Sequence, residues 1–201
     1  MDKIIILGSG GHARSCADVI ESTGKYEIAG YIHNEEDSKL KNNMRFLGND
    51  AALSDLRLKI GNAFIGVGQI KSPKTRIDLH RKLLDLDYNI PSVISPNAYI
   101  SKTAEIGRGT IIMHQAIVNS NAKIGDNCII NNKSLIEHDV IIGNHCHIST
   151  GSIINGNCKI KDEVFIGSGT ICKHGITVEQ RAIINAGKYV DLNIRSNSFL
   201  K

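Results

Sequence analysis

The stretch SLIEHDVIIGNHCHISTG, residues 134–151, sets His138, His145 and His147 among acids and glycines inside a run of branched apolar side chains. Its isoleucines step by six, from Ile136 to Ile142 to Ile148. Carried outward, the same step starts at Ile94 and reaches Val190 through Ile112, Ile130, Ile154, Ile166, Cys172 and Val178 without slipping. Small residues such as Ala104, Ala116, Ser134, Ser152 and Cys158 sit two places before most of these. A period of six is neither the 3.6 of a helix nor the 2 of a simple strand, and it is the signature of a parallel β-helix of hexapeptides. Each unit makes a short strand and a turn, so one branched side chain per unit points inward and stacks on its copies. Gly107, Gly125 and Gly143 recur every eighteen residues. Three hexapeptides, hence three faces, therefore make one coil, and about five coils are expected between Ile94 and Val190.

Upstream of Ile94 the pattern changes. KIIILGSGGHARSCADVIEST reads as a buried strand over 3–7, a glycine turn over 8–11, and a helix carrying Ala13, Cys16, Val19 and Ile20 on one face. YEIAGYI and NAFIGVG read as further strands. SPKTRIDLHRKLLDLDY reads as a helix with Pro73 near its start and Ile77, Leu79, Leu83, Leu84 and Leu86 as apolar positions. The alternation predicts a small parallel α/β domain over 1–90, followed by the β-helix over 91–201.

Composition narrows the function. Net charge is +4 with no basic stripe, and aromatics are only 4% of 201 residues, which reads against nucleic-acid binding. The apolar run in MDKIIILGSGG is too short for a signal-peptide core or a membrane span, so a cytoplasmic protein with no membrane partner is expected. Five cysteines without a CxxC pair argue against a disulfide framework and a structural zinc site, and read as small buried residues.

The turn GSGGHA, residues 8–13, matches G-x-G-x-x-A between a strand and a helix, so its amides could hold a phosphate. The alternative reading is a glycine turn needed only for tight strand–helix packing. A dinucleotide site would close the second strand with an acid. His33 and Asn34 stand there instead, with Glu35 and Glu36 in the following loop, and this reads against a nicotinamide enzyme.

At eighteen residues per coil, Lys102, Ser120, His138, Gly156 and His174 form one column, spaced about 4.8 Å per coil. No side chain stands directly above His138, and Gly156 is expected to leave an open notch with an exposed amide, the shape needed beside a base facing a thioester. His147 lies half a coil from His138 on another face, so the two could converge only across a subunit contact. A metal reading needs two or three imidazoles about 2.1 Å from one ion. His145 and His147, two apart, could share a face, and solvated sheet-surface histidines are the remaining alternative.

With GSGGHA, SLIEHD and HISTG together, the chain resembles the bacterial sugar acetyltransferase family that includes UDP-4-amino-sugar N-acetyltransferases and the sialic acid O-acetyltransferase group. The resemblance covers nearly the whole chain. It implies a Rossmann-like N-terminal domain, a left-handed β-helix, a homotrimer, and acetyl-CoA as cosubstrate between adjacent β-helices, with no metal. It makes His138 the general base and Asp139 or Glu137 its orienting acid. It puts His147, Ser149, Gly151 and Gly156 on the acetyl-CoA side, with the Gly156 amide facing the thioester oxygen. It sets Asn131 against the acceptor sugar, and aligns Gly8, Ser9, Gly10 and His12 with the turn that receives the nucleotide, where His33 and Asn34 replace the acids that usually receive uridine. The chain finishes with GKYVDLNIRSNSFLK rather than the usual G-x-P-A-K turn, and Lys188 puts a large polar residue where small ones belong, so the last coil is expected to fray. The implied activity is acetyl transfer to an amino group of a nucleotide-linked amino sugar. The alternatives are O-acetylation of sialic acid or a related nonulosonic acid, and a non-catalytic trimeric binding protein.

Overall fold

The computed structural model describes residues 1–36 and 44–201. The N-terminal region is a parallel sheet in the order β2-β1-β3, with β1 (Asp2–Leu7) between β2 (Tyr26–Ile32) and β3 (Asn62–Ile65). Helix α1 (Gly11–Ser22) packs Ala13, Cys16, Val19 and Ile20 against Ile4 and Ile6 on one side of this sheet. The other side, carrying Ile5, Leu7, Ile32 and Ile65, is covered by Leu53 of a short helix, α2 (Leu53–Arg57), and by Leu83 of α3 (Lys74–Asp85). The sequence pattern does not announce α2, because five residues carry no periodicity. In α3 the fully buried line is Arg76, His80 and Leu83, while Leu84 is exposed. Two polar side chains thus occupy the face that apolar spacing assigns to leucines, and the solenoid beneath them is the reason.

Eighteen two-residue strands follow, from Val93–Ile94 to Phe199–Leu200, stacked in parallel as faces of seven, six and five strands. Within each strand the second residue points in. Ile112, Val118, Ile124, Ile130, Ile136, Ile142, Ile148, Ile154, Ile160, Ile166, Cys172, Val178, Ile184 and Val190 form one continuous core. The seven-stranded face carries one rung more than about five coils would leave. The chain turns again after Val190, Ile194 bridges to Val178, and Leu200 pairs with Ile184. Both pairs are sixteen apart where every earlier pair is eighteen, so the final coil is two residues short. Lys188 does not fray it: its N–H is 3.4 Å from Thr170 Oγ1 and the next strand, Tyr189–Val190, pairs normally.

The corners explain the glycines. A residue with φ between 54° and 67° recurs every six positions from Gly109 to Gly169, including Asn121, Asn127, Asp139, Gly151 and Asn157. Such left-handed residues cost least as Gly, Asn or Asp, and this second six-residue rhythm goes unread when only the isoleucines are followed. Gly107, Gly125 and Gly143 have a different cause. The next coil lays an Asx side chain over each, so a Cβ on Gly125 would stand 2.5 Å from Asn144 Oδ1, and one on Gly143 would stand 2.2 Å from Asp162 Oδ1. Those side chains accept backbone N–H bonds from the coil below, Asn144 Oδ1 from Asp126 and Asp162 Oδ1 from Asn144.

The outward residues differ face by face. On the seven-stranded face Val93, Ile111 and Ile129 pack against α1 and the N-terminal sheet. The five-stranded face presents Glu105, Lys123, Ile141, Lys159 and Thr177, with a Lys123–Glu105 ion pair at 2.9 Å. The six-stranded face presents an unbroken apolar column: Tyr99, Ile117, Leu135, Ile153, Ile171 and Tyr189. Among the described residues no helix is long and apolar enough to cross a membrane.

Two glycine substitutions separate the two corner constraints. Gly125→Ala forces a methyl group into the Asn144 contact and is expected to cost about 1–3 kcal/mol in a urea titration. Gly151→Ala meets nothing within 4 Å and adds only left-handed strain, about 1–2 kcal/mol. Adding Asn144→Ala should recover part of the Gly125→Ala loss and none of the Gly151→Ala loss.

Candidate active site

The solenoid corner after Leu135–Ile136 lifts His138 and Asp139 into solvent, each side chain about half exposed. Asp139 takes the left-handed corner conformation, which turns its carboxylate back toward its neighbour. His138 Nδ1 and Asp139 Oδ2 are 2.8 Å apart, and Asn121 of the coil below donates to Asp139 Oδ1 at 3.2 Å. The bonds from His138 and Asn121 hold the Asp139 carboxyl below its usual range. An ionised Asp139 accepts a proton-bearing Nδ1, so the neutral imidazole keeps its lone pair on Nε2.

Glu137, the other candidate acid, has a different job. Its Oε2 accepts from Asn119 Nδ2 at 3.0 Å and from the His138 backbone N–H at 3.3 Å. It braces the corner while Asp139 orients the ring.

The free edge of the imidazole lies over Gly156. A Cβ there would be 2.7 Å from both Nε2 and Cε1 of His138. The expected open notch is therefore filled by the His138 ring itself, and Gly156 is buried beneath it. Ladder bonds run from Asn155 N to Cys172 O and from Asn157 N to His138 O, and the Gly156 N–H between them lies outside that ladder. His174, one coil further, puts its ring 6.2 Å from that of His138.

His147 belongs to a second cluster on the seven-stranded face, where α3 and the loop after β3 meet the solenoid. Its Nδ1–H donates to the Gln69 carbonyl and its Nε2 accepts from Asn131 Nδ2 at 3.2 Å. Gln69 Nε2 donates to His145 O at 2.9 Å. Arg76, fully buried, donates to the carbonyls of Ile65, at 2.9 Å, and Val67, at 2.7 Å, and reaches Asn127 Oδ1 at 2.6 Å. Asn127 Nδ2 is 3.0 Å from His145 Nδ1, and the His145 ring meets His80 edge-on at 5.5 Å between centroids. His12 joins this cluster rather than the glycine turn that precedes it: it packs on Gly68 and sets Nε2 3.4 Å from Cys16 Sγ. His145 and His147 face different partners, and among the described residues no three His, Cys, Asp or Glu side chains gather as a metal site needs. Sequence spacing singles out none of Gln69, Arg76 and Asn127, because a buried Arg on a helix and an Asn at a corner look like surface residues until the two parts of the chain are joined.

The remaining candidates lie apart from His138. Ser149 Oγ bonds Ser168 Oγ at 2.8 Å, and Gly151 is a left-handed corner that donates to Asn132 O at 2.9 Å. Gly8 donates to Ile32 O at 2.8 Å with φ 116°, so close to Val67 that a Cβ would meet its Cγ2 at 3.1 Å. Ser9 is buried and gives its carbonyl to Arg14, while Gly10 is open at the start of α1. His33 and Asn34 are exposed at the end of β2 and line a cavity with Gly8 and Asp50.

Residues 3–83 match the family model described as the PglD N-terminal domain, and residues 89–192 match the one described as the GMPPB C-terminal domain. No curated sequence matches significantly. Several solved structures do. PerB from Caulobacter crescentus, solved in complex with CoA and GDP-perosamine, is 25% identical with a TM-score of 0.90 over 99% of this chain and 93% of that one. The acetyltransferase domain of PglB from Neisseria gonorrhoeae, in complex with acetyl coenzyme A, is 26% identical with a TM-score of 0.88 over 96% and 92%. WeeI from Acinetobacter baumannii shares the fold, at 21% identity and a TM-score of 0.86 over 99% and 96%.

The buried imidazoles make the junction acid-sensitive. Burial, with Arg76 adding to it, lowers His12 to about 3, and burial lowers His147 to about 4, also against the Arg76 charge; burial pushes His80 and His145 down too. Each is neutral when folded and takes up a proton more readily when unfolded, so its stabilisation is complete above the unfolded value of about 6.5 and drains away as pH falls toward the folded one. Melting temperature should fall steadily from pH 7 to pH 4, His12 and His147 each contributing up to about 1.4 kcal/mol per pH unit. His147→Gln and His12→Gln should flatten the curve. A melting temperature constant over that range would contradict the assignment.

Proposed function

We propose that the chain is a bacterial sugar acetyltransferase of the hexapeptide-repeat class that transfers the acetyl group of acetyl-CoA to an amino group of a nucleotide-linked amino sugar. The observation that carries this reading is the His138–Asp139 pair, with the Nε2 edge of the imidazole laid over a residue that has no side chain. The ligands of PerB and of the PglB domain support the choice of cosubstrate and acceptor class.

In this reading Asp139 holds the tautomer and His138 Nε2 receives the amine proton as the nitrogen attacks the thioester carbon. The Gly156 N–H stabilises the oxygen that becomes negative. The C–S bond then breaks, an amide has formed, and His138 returns its proton to the departing thiolate. Burial of every cysteine in the chain is consistent with direct transfer without an acyl-enzyme.

The working unit is a homotrimer. Six apolar residues stacked on the outside of one face, four of them exposed, form a surface of the kind that second copies of a chain cover. A dyad half open to water in one protomer gains a wall from the next. Such packing also offers the one route by which His147 and Asn131 of one copy approach His138 of another. The protein acts in the cytoplasm, which supplies acetyl-CoA.

With a panel of nucleotide-linked 4-amino sugars, His138→Ala should lower kcat by roughly a hundredfold to ten-thousandfold while acetyl-CoA binding stays near that of the parent. Gly156→Ala should lower kcat as well, because its methyl group displaces the base. Activity should survive EDTA. Undiminished turnover in His138→Ala would overturn the mechanism.

Sedimentation should report three times the 21.9 kDa chain mass. A charge set into the apolar column, as in Ile117→Glu, should shift the mass toward one chain and abolish turnover together. A parent protein that sediments as a monomer would sink the trimer.

A further inference from the structure

A cavity of about 230 Å³ opens at the C-terminal edge of the N-terminal sheet. Its aliphatic lining is Leu7, Ile32, Val67 and Leu79, and its polar lining includes His33, Asn34 and Asp50. Asp50 comes from the 3-10 turn ahead of α2, far along the chain from the strand end where a carboxylate is absent. Lys82 of α3 donates to its Oδ2 at 3.1 Å, which fixes the carboxylate and leaves Oδ1 and a second lone pair of Oδ2 for a ligand.

In the acetyltransferase reading above, on which the inference rests, this cavity receives the base of the nucleotide-linked acceptor, and we infer that Asp50 makes it select guanine. Aliphatic walls favour a flat heterocycle over a sugar or phosphate, which would lose hydration there without replacement. A carboxylate only accepts hydrogen bonds. Uracil and thymine offer one ring N–H between two carbonyl oxygens whose lone pairs a carboxylate repels. Adenine and cytosine set an acceptor nitrogen beside their amine. Guanine alone presents N1–H and N2–H side by side, the pair a carboxylate takes with both oxygens. Asn34 brings an amide N–H suited to guanine O6.

Calorimetric titration of the full chain with GDP, UDP, ADP and CDP tests this directly. GDP should bind about tenfold or more tightly than UDP. Asp50→Asn should bring the two within about threefold, whereas Asp50→Glu and Lys82→Met, which keep a carboxylate, should retain the preference. Acetyl-CoA affinity should be unchanged in all three variants. UDP binding as tightly as GDP, no nucleoside diphosphate binding at all, or a preference that survives Asp50→Asn in a protein melting like the parent would each overturn the inference. Failure of the parent to bind acetyl-CoA would instead sink the acetyltransferase reading, so the two failures are distinguishable.

Discussion

Stacking at eighteen residues per coil is the constraint on which the rest of the solenoid depends. Strand N–H groups find their carbonyls on the neighbouring coil, as in His147 N to Val164 O and Leu135 N to Ser152 O, so a residue's environment is set by its counterparts one coil above and below. That rule puts isoleucine on isoleucine inside the coil and Asx on glycine at the corners. It also puts the His138 ring on Gly156. A side chain at 156 would contend with the imidazole for the same space, so the exposed imidazole and the bare backbone beside it are one feature seen from two coils. Asn121 completes the arrangement from below, donating to Asp139 at the same corner position one coil earlier.

A second requirement arises where the chain joins its two parts. The face of α3 that meets the solenoid carries Arg76 and His80 rather than leucine. A buried guanidinium is costly unless its N–H groups are answered. Here the carbonyls of Ile65 and Val67 and the side chain of Asn127 answer them. Because Ile65 ends β3, Val67 lies in the loop beyond, and Asn127 is a solenoid corner, the same side chain fixes that loop against the β-helix. Gln69 of that loop then donates to His145 O and accepts from His147. The orientation of His147, and through its Nε2 that of Asn131, thus depends on a contact between regions more than seventy residues apart in sequence.

This division explains what could be read from the sequence. The solenoid and its inward column are periodic, and the period survives every substitution among Ile, Val and Cys along it. His138, Asp139 and Gly156 were legible for the same reason, since stacking converts sequence distance into adjacency. Choosing Asp139 over Glu137 as the partner of the imidazole needed the left-handed corner at Asp139. The filling of the notch by His138 itself needed the rotamer, which no spacing carries. The short final coil was hidden because a two-residue shortening moves Ile194 and Leu200 out of the six-residue register while their partners, Val178 and Ile184, remain in it. Arg76, Gln69 and Asn127 were invisible because nothing local marks a polar residue that will be buried by a distant segment.

The three faces of the solenoid carry this logic outward. All have the same backbone and the same inward column, so only the outward residue of each strand distinguishes them. One face is covered by the chain's own N-terminal part, one carries the charges of Glu105, Lys123 and Lys159, and one is apolar from Tyr99 to Tyr189. An uncovered apolar column on a parallel solenoid is straight and regularly spaced, which suits another straight, regularly spaced surface better than it suits a compact partner. The dyad stands at the corner where the apolar and charged faces meet, between the strands Leu135–Ile136 and Ile141–Ile142. Any copy that covers the apolar face therefore ends beside His138. In the proposed trimer, exclusion of water from His138 and burial of the apolar column would follow from the same contact.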